Sequence, residues 1–235
     1  MESGGLSRGA PLMESLGYAY EEIVNGGGQG LILKYRHIQT DTHVFVKMFM
    51  HRTTFAIEAG TYQRIQEECP DLRRFVVQIW DAQPYPPNAQ LEDIVGEAAS
   101  IVAAKIPDIK KGGGVLIMEW LANGDLSECD NFIRILQNRE WLAQWNVFLQ
   151  DCKKACLKYH FHHNDMKLRN IFFEIKSPAE VILKLGDFGH SKFPSPDIDA
   201  KELARFDSWI ENEWNALIEL TDFWIEQLES NDFTK

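Results

Sequence analysis

The chain has 235 residues, 45% of them hydrophobic and 25% charged, enough for one large domain or two small lobes around a sizeable core. A formal net charge of -11 argues against nucleic acid or an anionic membrane as the main partner, because both would repel it. Cys69, Cys129, Cys152 and Cys156 form no Cys-x-x-Cys pair, the Gly/Ser-rich N-terminus has no apolar signal core, and no run approaches the ~20 apolar residues that span a bilayer, so the expectation is a soluble intracellular protein.

In chain order, residues 1–17 read as a loose tail. Tyr20 to Val24, the cluster Asn25-Gly26-Gly27-Gly28-Gln29-Gly30 and the alternating residues Leu31 to His37 predict a hairpin. A turn at Thr40-Asp41-Thr42 leads into a third strand, Val44 to Phe49, rich in β-branched and aromatic residues. A helix over about 54–68 follows, with Phe55, Ala59, Tyr62 and Ile65 on one face, and Pro70 stops it. Phe75 to Trp80 reads as a strand. Residues 84–114 read as a long connection, opened by Pro84, Pro86 and Pro87, closed by three glycines, and helical in its middle from Leu91 to Ala104. Val115 to Trp120 is a buried strand.

From Asp125 the period becomes helical. Leu126 to Gln137 and Trp141 to Tyr159 predict amphipathic helices, and short strands bracket loops at 163–170 and 186–191. After Pro196, apolar residues from Leu203 to Leu228 recur at helical spacing and predict one or two helices, with Ser195 as N-cap. Strands first and helices second is an α+β arrangement in two lobes.

Four separated motifs carry the chemistry. Phosphoryl transfer needs a positioned nucleotide, neutralised charge and a hydroxyl oriented for in-line attack. The glycine cluster, with Gly27, Gly28 and Gly30 followed by Ile32, brings backbone N–H groups close to phosphates; alone it is an ordinary flexible turn. Lys47 ends an apolar strand, where burial is costly unless it is paired, and Glu58 early on the next helix is the candidate partner; alone it is an exposed strand-end lysine. In His163-Asn164-Asp165-Met166-Lys167-Leu168-Arg169-Asn170, Asp165 would orient the proton of a substrate hydroxyl, Lys167 would stabilise the transferred group and Asn170 would bind magnesium. Asp187 of Gly186-Asp187-Phe188-Gly189, seventeen residues after Asn170, would be a second magnesium ligand.

In their order and spacing these motifs resemble the eukaryotic-type protein kinase family over residues 18–193. The resemblance implies an antiparallel β N-lobe with one helix, covering residues 18–121, and an abbreviated helical C-lobe over 122–235. It implies ATP and Mg²⁺ as cofactors and a protein Ser or Thr hydroxyl as substrate, because Lys167 stands two residues after Asp165. Met118-Glu119-Trp120-Leu121 resembles the family's adenine-binding hinge, and Asp125 stands where the family often has an acidic ribose ligand.

The departures are specific. Asn25 replaces the first glycine, Asn164 replaces the usual Arg, no Ala-Pro-Glu segment follows, and Phe45 stands where the family has Ala above the adenine. Phe45 and the missing docking segment motivate an alternative, a pseudokinase that acts as a binding module. The short C-lobe motivates a small-molecule kinase of the same fold. Asp207-Ser208-Trp209 faintly resembles the Asp-x-Trp of the family's central C-lobe helix. His160, His162 and His163 lack the Cys/His quartet of a zinc site. Cys152 and Cys156 read as buried small residues. The terminal Trp/Leu stripe reads as core, or as a surface for a partner protein.

Overall fold

Leu31, Leu33 and Tyr35 alternate with Ile32 and Lys34, as do Val44, Val46 and Met48 with Phe45 and Lys47, and this period of two sends each set to one face of a sheet. The computed structural model describes residues 11–27, 30–49, 51–85, 90–105 and 113–230 and is α+β. Strands β1 (Tyr18–Gly27), β2 (Gly30–His37), β3 (His43–Phe49), β4 (Ile79–Tyr85) and β5 (Gly113–Glu119) form an antiparallel five-stranded sheet in the order β1-β2-β3-β5-β4. Two compact units divide the chain, one of Met1–Ala59 with Ile79–Trp120, the other of Gly60–Gln78 with Leu121–Lys235; the division falls within helix α2 (Arg52–Glu68).

In the first unit, Leu31, Leu33, Tyr35, Val44, Val46, Met48, Val115 and Ile117 form one face of the sheet and are buried. Their cover comes from two places. Helix α1 (Leu12–Ser15) contributes Met13, fully buried, with Leu12 packed against the same cluster, so this segment is anchored to the core rather than a loose tail. Helices α4 (Glu92–Val95) and α5 (Ala99–Lys105) contribute Ile94, Val95 and Val102, and the Tyr35 hydroxyl donates to the Val95 carbonyl at 3.1 Å. The helical middle of the 84–114 segment is thus where the sequence predicts it, but it is a lid on the sheet, each buried Ile or Val contributing about 1.5–3 kcal/mol.

The fourth strand lies further along than predicted. Phe75–Val77 pair instead with Leu185 of the second unit's own hairpin, and the sheet strand runs Ile79–Tyr85 through Pro84. Pro84 is accommodated on β4 because, among the described residues, that strand lies at the edge of the sheet, where proline is tolerated. On the opposite face, Phe49 meets Phe55 of α2 at 5.7 Å, and Phe55 lies so close to Gly114 that an added Cβ would come within 2.4 Å of its ring.

In the second unit, helices α3 (Pro70–Arg73), α6 (Cys129–Gln137), α7 (Arg139–Lys158) and α8 (Ala200–Ser230) accompany the hairpin β6 (Ile171–Ser177) and β7 (Glu180–Leu185). Trp145 of α7 is fully buried, meets the rings of Phe132 and Phe148, and donates its Nε1–H to Thr221 of α8 at 3.2 Å. Asn138 caps α7, its Oδ1 accepting from the N–H groups of Glu140 and Trp141. The terminal stripe forms a single helix of 31 residues. Its cap is Asp199, which accepts the Glu202 N–H at 2.8 Å, not Ser195. Ser195 and Pro196 open a turn closed by the Ile198 N–H on the Ser195 carbonyl, a role that suits Pro at its second position. Among the described residues no helix is long and apolar enough to cross a membrane.

Candidate functional site

The first unit carries nine of the fifteen predicted residues. Gly27 and Gly30 are paired across the β1–β2 hairpin; Gly28, between them, lies outside the described residues. At Gly30 a Cβ would sit 2.2 Å from the Met48 carbonyl oxygen, so the close approach of β2 to β3 requires glycine there. Ile32 stands opposite Lys47 in register.

Lys47 and Glu58 meet. Lys47 Nζ donates to both carboxylate oxygens of Glu58 at 2.9 and 2.8 Å, with side-chain exposures of 8% and 0%. The helical face predicted to hold Ala59 turns Glu58 inward instead: Phe55, Glu58, Tyr62 and Ile65 are buried, while Ala59 is half-buried. A carboxylate on the buried stripe of a helix is costly unless matched, and the Lys47 ammonium matches it.

Phe45 shares the Lys47 face of β3 and stands opposite Met118 of β5. Its ring lies 4.3 Å from that of Trp120, and Lys34 Nζ caps the Trp120 ring at 4.8 Å. Trp120 was not among the predicted site residues, although its position two after Met118, just past the end of β5, marks it. Glu119 stands opposite Val44.

The second unit holds the other six. Asp165 accepts a hydrogen bond from Lys167 Nζ, and Asn170 Nδ2 donates to the Asp165 carbonyl at 2.8 Å. Burial pushes the Asp165 carboxyl up, but the hydrogen bond and charge of Lys167, with the Asn170 amide, bring it to a net value below the usual carboxylate range. With Nδ2 so committed, Asn170 keeps Oδ1 as the atom for a metal ion. The Gly186 N–H donates to the Asn170 carbonyl at 3.0 Å, which ties the Asp187 segment to the loop. Asp187 has φ +62°, a conformation that Asp tolerates and β-branched residues do not. Phe188 is fully buried against Tyr62, Phe161 and His163.

Leu121 is buried, and the Asp125 carboxylate accepts the Ser127 N–H at 2.7 Å, so it serves as a local turn cap. No protein-family model matches the chain, and no curated protein matches it either. Among the described residues, no group of three or more His, Cys, Asp and Glu side chains could hold a metal ion by itself. Asp207 bonds His160 at 2.7 Å, whereas the α8 residue that reaches the 163–166 segment is Glu213, which the sequence did not mark.

His163 is buried, and its Nε2–H donates to the Gly186 carbonyl at 3.0 Å, while Nδ1 is buried with no hydrogen-bond partner. Burial therefore pushes its pKa down to about 4, with the Gly186 carbonyl and the charges of Asp187 and Asp165 restoring only part. The native state binds fewer protons than the unfolded chain, so the stability is present above about pH 6.5 and is lost as pH falls toward 4, about 3 kcal/mol in all. Urea unfolding between pH 7 and pH 4 checks this. His163→Asn, which does not titrate there, is expected to flatten the profile; an unchanged slope assigns the pH dependence elsewhere.

Proposed function

We propose that this chain is a two-lobed protein-kinase-like phosphotransferase that transfers the γ-phosphoryl group of ATP to a protein Ser or Thr hydroxyl. The observation that carries the reading is the buried Lys47–Glu58 pair, with both carboxylate oxygens on one ammonium. A lysine held so, beside a glycine hairpin, is fixed in direction and suits contact with phosphate oxygens. The Asp165–Lys167–Asn170 cluster supports the same reading independently.

Mg-ATP supplies the phosphoryl group and the charge that activates it. Asn170 Oδ1 and Asp187 suit a magnesium ion, which prefers oxygen ligands and needs few from protein when phosphates complete its shell. Asp165 accepts the proton of the attacking hydroxyl, and its lowered pKa keeps it ionised for that task. Lys167, hydrogen-bonded to Asp165, places positive charge where the transferred oxygens gather negative charge.

A specific observation favours a second reading, a binding module without turnover. Phe45 is buried on the Lys47 face against Trp120, where an adenine would need room.

Thermal unfolding with and without Mg-ATP tests both readings. A ligand at 100 times its Kd stabilises the native state by about 2.7 kcal/mol, read as a rise in Tm. Asp187→Asn, which tolerates the left-handed backbone, is expected to remove most of that rise. Phe45→Ala is expected to weaken binding by about 1 kcal/mol through loss of a stacking surface. A larger rise in Phe45→Ala would favour the binding module, and no rise in the wild type would refute the nucleotide site.

A further inference from the structure

The apolar residues of α8 are buried only as far as Thr221. Phe206, Ile210, Trp214 and Leu217 pack inward. Thr221 is the last buried residue; its Oγ1 accepts the Trp145 Nε1–H and donates to the Leu217 carbonyl at 2.9 Å. The helix then runs on to Ser230, yet Trp224, Ile225 and Leu228 are only half-buried and Phe223 is 53% exposed. Leu220, three residues before Phe223, is 37% exposed. Ala216, Leu220 and Phe223 follow in steps of four and three, which places them in one stripe beside the buried one. A single exposed apolar side chain is ordinary, whereas a stripe of this spacing is the pattern by which one helix meets another.

The charges beside the stripe are of one sign. From Phe206 to Ser230 the helix carries no Lys, Arg or His. Glu219, Asp222, Glu226 and Glu229 are all exposed and follow one another in steps of three, four and three. No ion pair among the described residues engages any of the four. Like charges at those spacings repel along a helix, and carboxylates in its last turn face the negative end of the macrodipole. The row therefore works against the helix that carries it, and the stripe leaves apolar area in water. Neither serves the fold of this unit.

We propose that the 216–230 face of α8 is a docking surface for a basic amphipathic helix of another protein, which lays apolar residues on Leu220 and Phe223 and sets Lys or Arg against Glu219 and Glu226. These two acids stand four residues before and three after Phe223, so they border the stripe. Phe223 is the anchor. Its ring already rests edge-on against Trp224 at 6.0 Å, so little freedom is left for it to lose on binding. Charge chooses the partner. A second copy of this chain would bring the same acidic row against itself across a twofold contact, and an anionic membrane would meet like charge. A basic helix removes the stripe from water and neutralises the row in one contact. The proposal is independent of phosphotransfer, because neither the Lys47–Glu58 pair nor the Asp165 loop takes part in it.

Fluorescence anisotropy on the full chain tests this with two labelled synthetic peptides. Both carry Leu at positions i, i+3, i+4 and i+7; one has Lys at the remaining positions and the other Glu. The Lys peptide is expected to bind, more weakly as salt rises, and the Glu peptide is expected not to bind. Leu220→Ser/Phe223→Ser keeps every charge and is expected to weaken the Lys peptide by about 30-fold or more, the loss of a buried aromatic anchor. Glu219→Lys/Glu226→Lys keeps the stripe and is expected to abolish the preference for Lys over Glu. With the Lys peptide bound, amide exchange across residues 222–230 is expected to slow. Absence of binding by the Lys peptide, binding that Leu220→Ser/Phe223→Ser leaves unchanged, or a Lys preference that survives in Glu219→Lys/Glu226→Lys overturns the proposal. Should the serine variant not fold, the charge variant, altered only at exposed positions, decides. A dimer of the chain alone, detected by sedimentation and dissolved by Leu220→Ser/Phe223→Ser, overturns the proposal in favour of a second copy.

Discussion

Asp165→Asn is expected to lower turnover by about 10²–10⁴-fold while leaving Mg-ATP binding nearly unchanged, the range for a positioned acid–base group. The substitution is close to isosteric. Its amide oxygen still accepts from Lys167 and its backbone carbonyl still accepts from Asn170, so the loop keeps its geometry. What it loses is the carboxylate that, in the proposed reaction, takes the hydroxyl proton. The wild-type carboxyl is held below the usual range by Lys167 and Asn170 against the opposing effect of burial, so it is ionised throughout the neutral range. The check is a single-turnover assay on generic Ser/Thr acceptors alongside nucleotide titration. A fall in both binding and turnover would show that Asp165 supports the nucleotide site rather than the proton transfer. Indistinguishable, near-zero turnover in wild type and variant would favour the binding-module reading.

The sequence made the local elements legible where period and punctuation agree. The alternation in β2 and β3 and the glycines at the β1–β2 turn place the sheet's first three strands within a few residues. It misplaced elements where tertiary pairing overrides propensity. Phe75–Val77 are as strand-like as Ile79–Tyr85, and only the partner strand decides which of them joins the sheet. Pro84 reads as a loop signal until its strand is known to lie at an edge.

For the candidate site, the contrast is between pairs and faces. Asp165, Lys167 and Asn170 are close in sequence, and their contacts follow from one loop. Lys47 and Glu58 are eleven residues apart on different elements; the apolar strand around Lys47 signals a charge in need of a partner, whereas the helical face read from the sequence holds Ala59 rather than Glu58. Glu213 gave no such signal. It precedes Trp214 on a helix with many exposed acids, and its burial depends on α8 meeting the 163–166 segment, a long-range event that no local pattern encodes. Trp120 escaped for a different reason: the hinge residues invite a backbone reading, and its ring contact with Phe45 follows only from the β3–β5 register.

Glu58→Leu and Lys47→Met are each expected to destabilise the fold by about 3–5 kcal/mol, whereas the double variant Lys47→Met/Glu58→Leu is expected to recover most of that loss. Each single change withdraws one charge from a contact in which both side chains are at least 92% shielded, with exposures of 8% and 0%, and the remaining charge loses the partner that offset its desolvation. The double change replaces the pair with apolar side chains next to Phe49 and Phe55, which already meet on that face. Urea unfolding of the four proteins measures the coupling directly, and additive losses would show that the pair does not form in solution. If a buried ion pair adds little that well-packed apolar groups could not, stability does not explain its presence. The double variant therefore separates fold from ligand. Restored stability with no Mg-ATP response would assign the pair to the phosphate site, and restored stability with a full response would remove Lys47 from it.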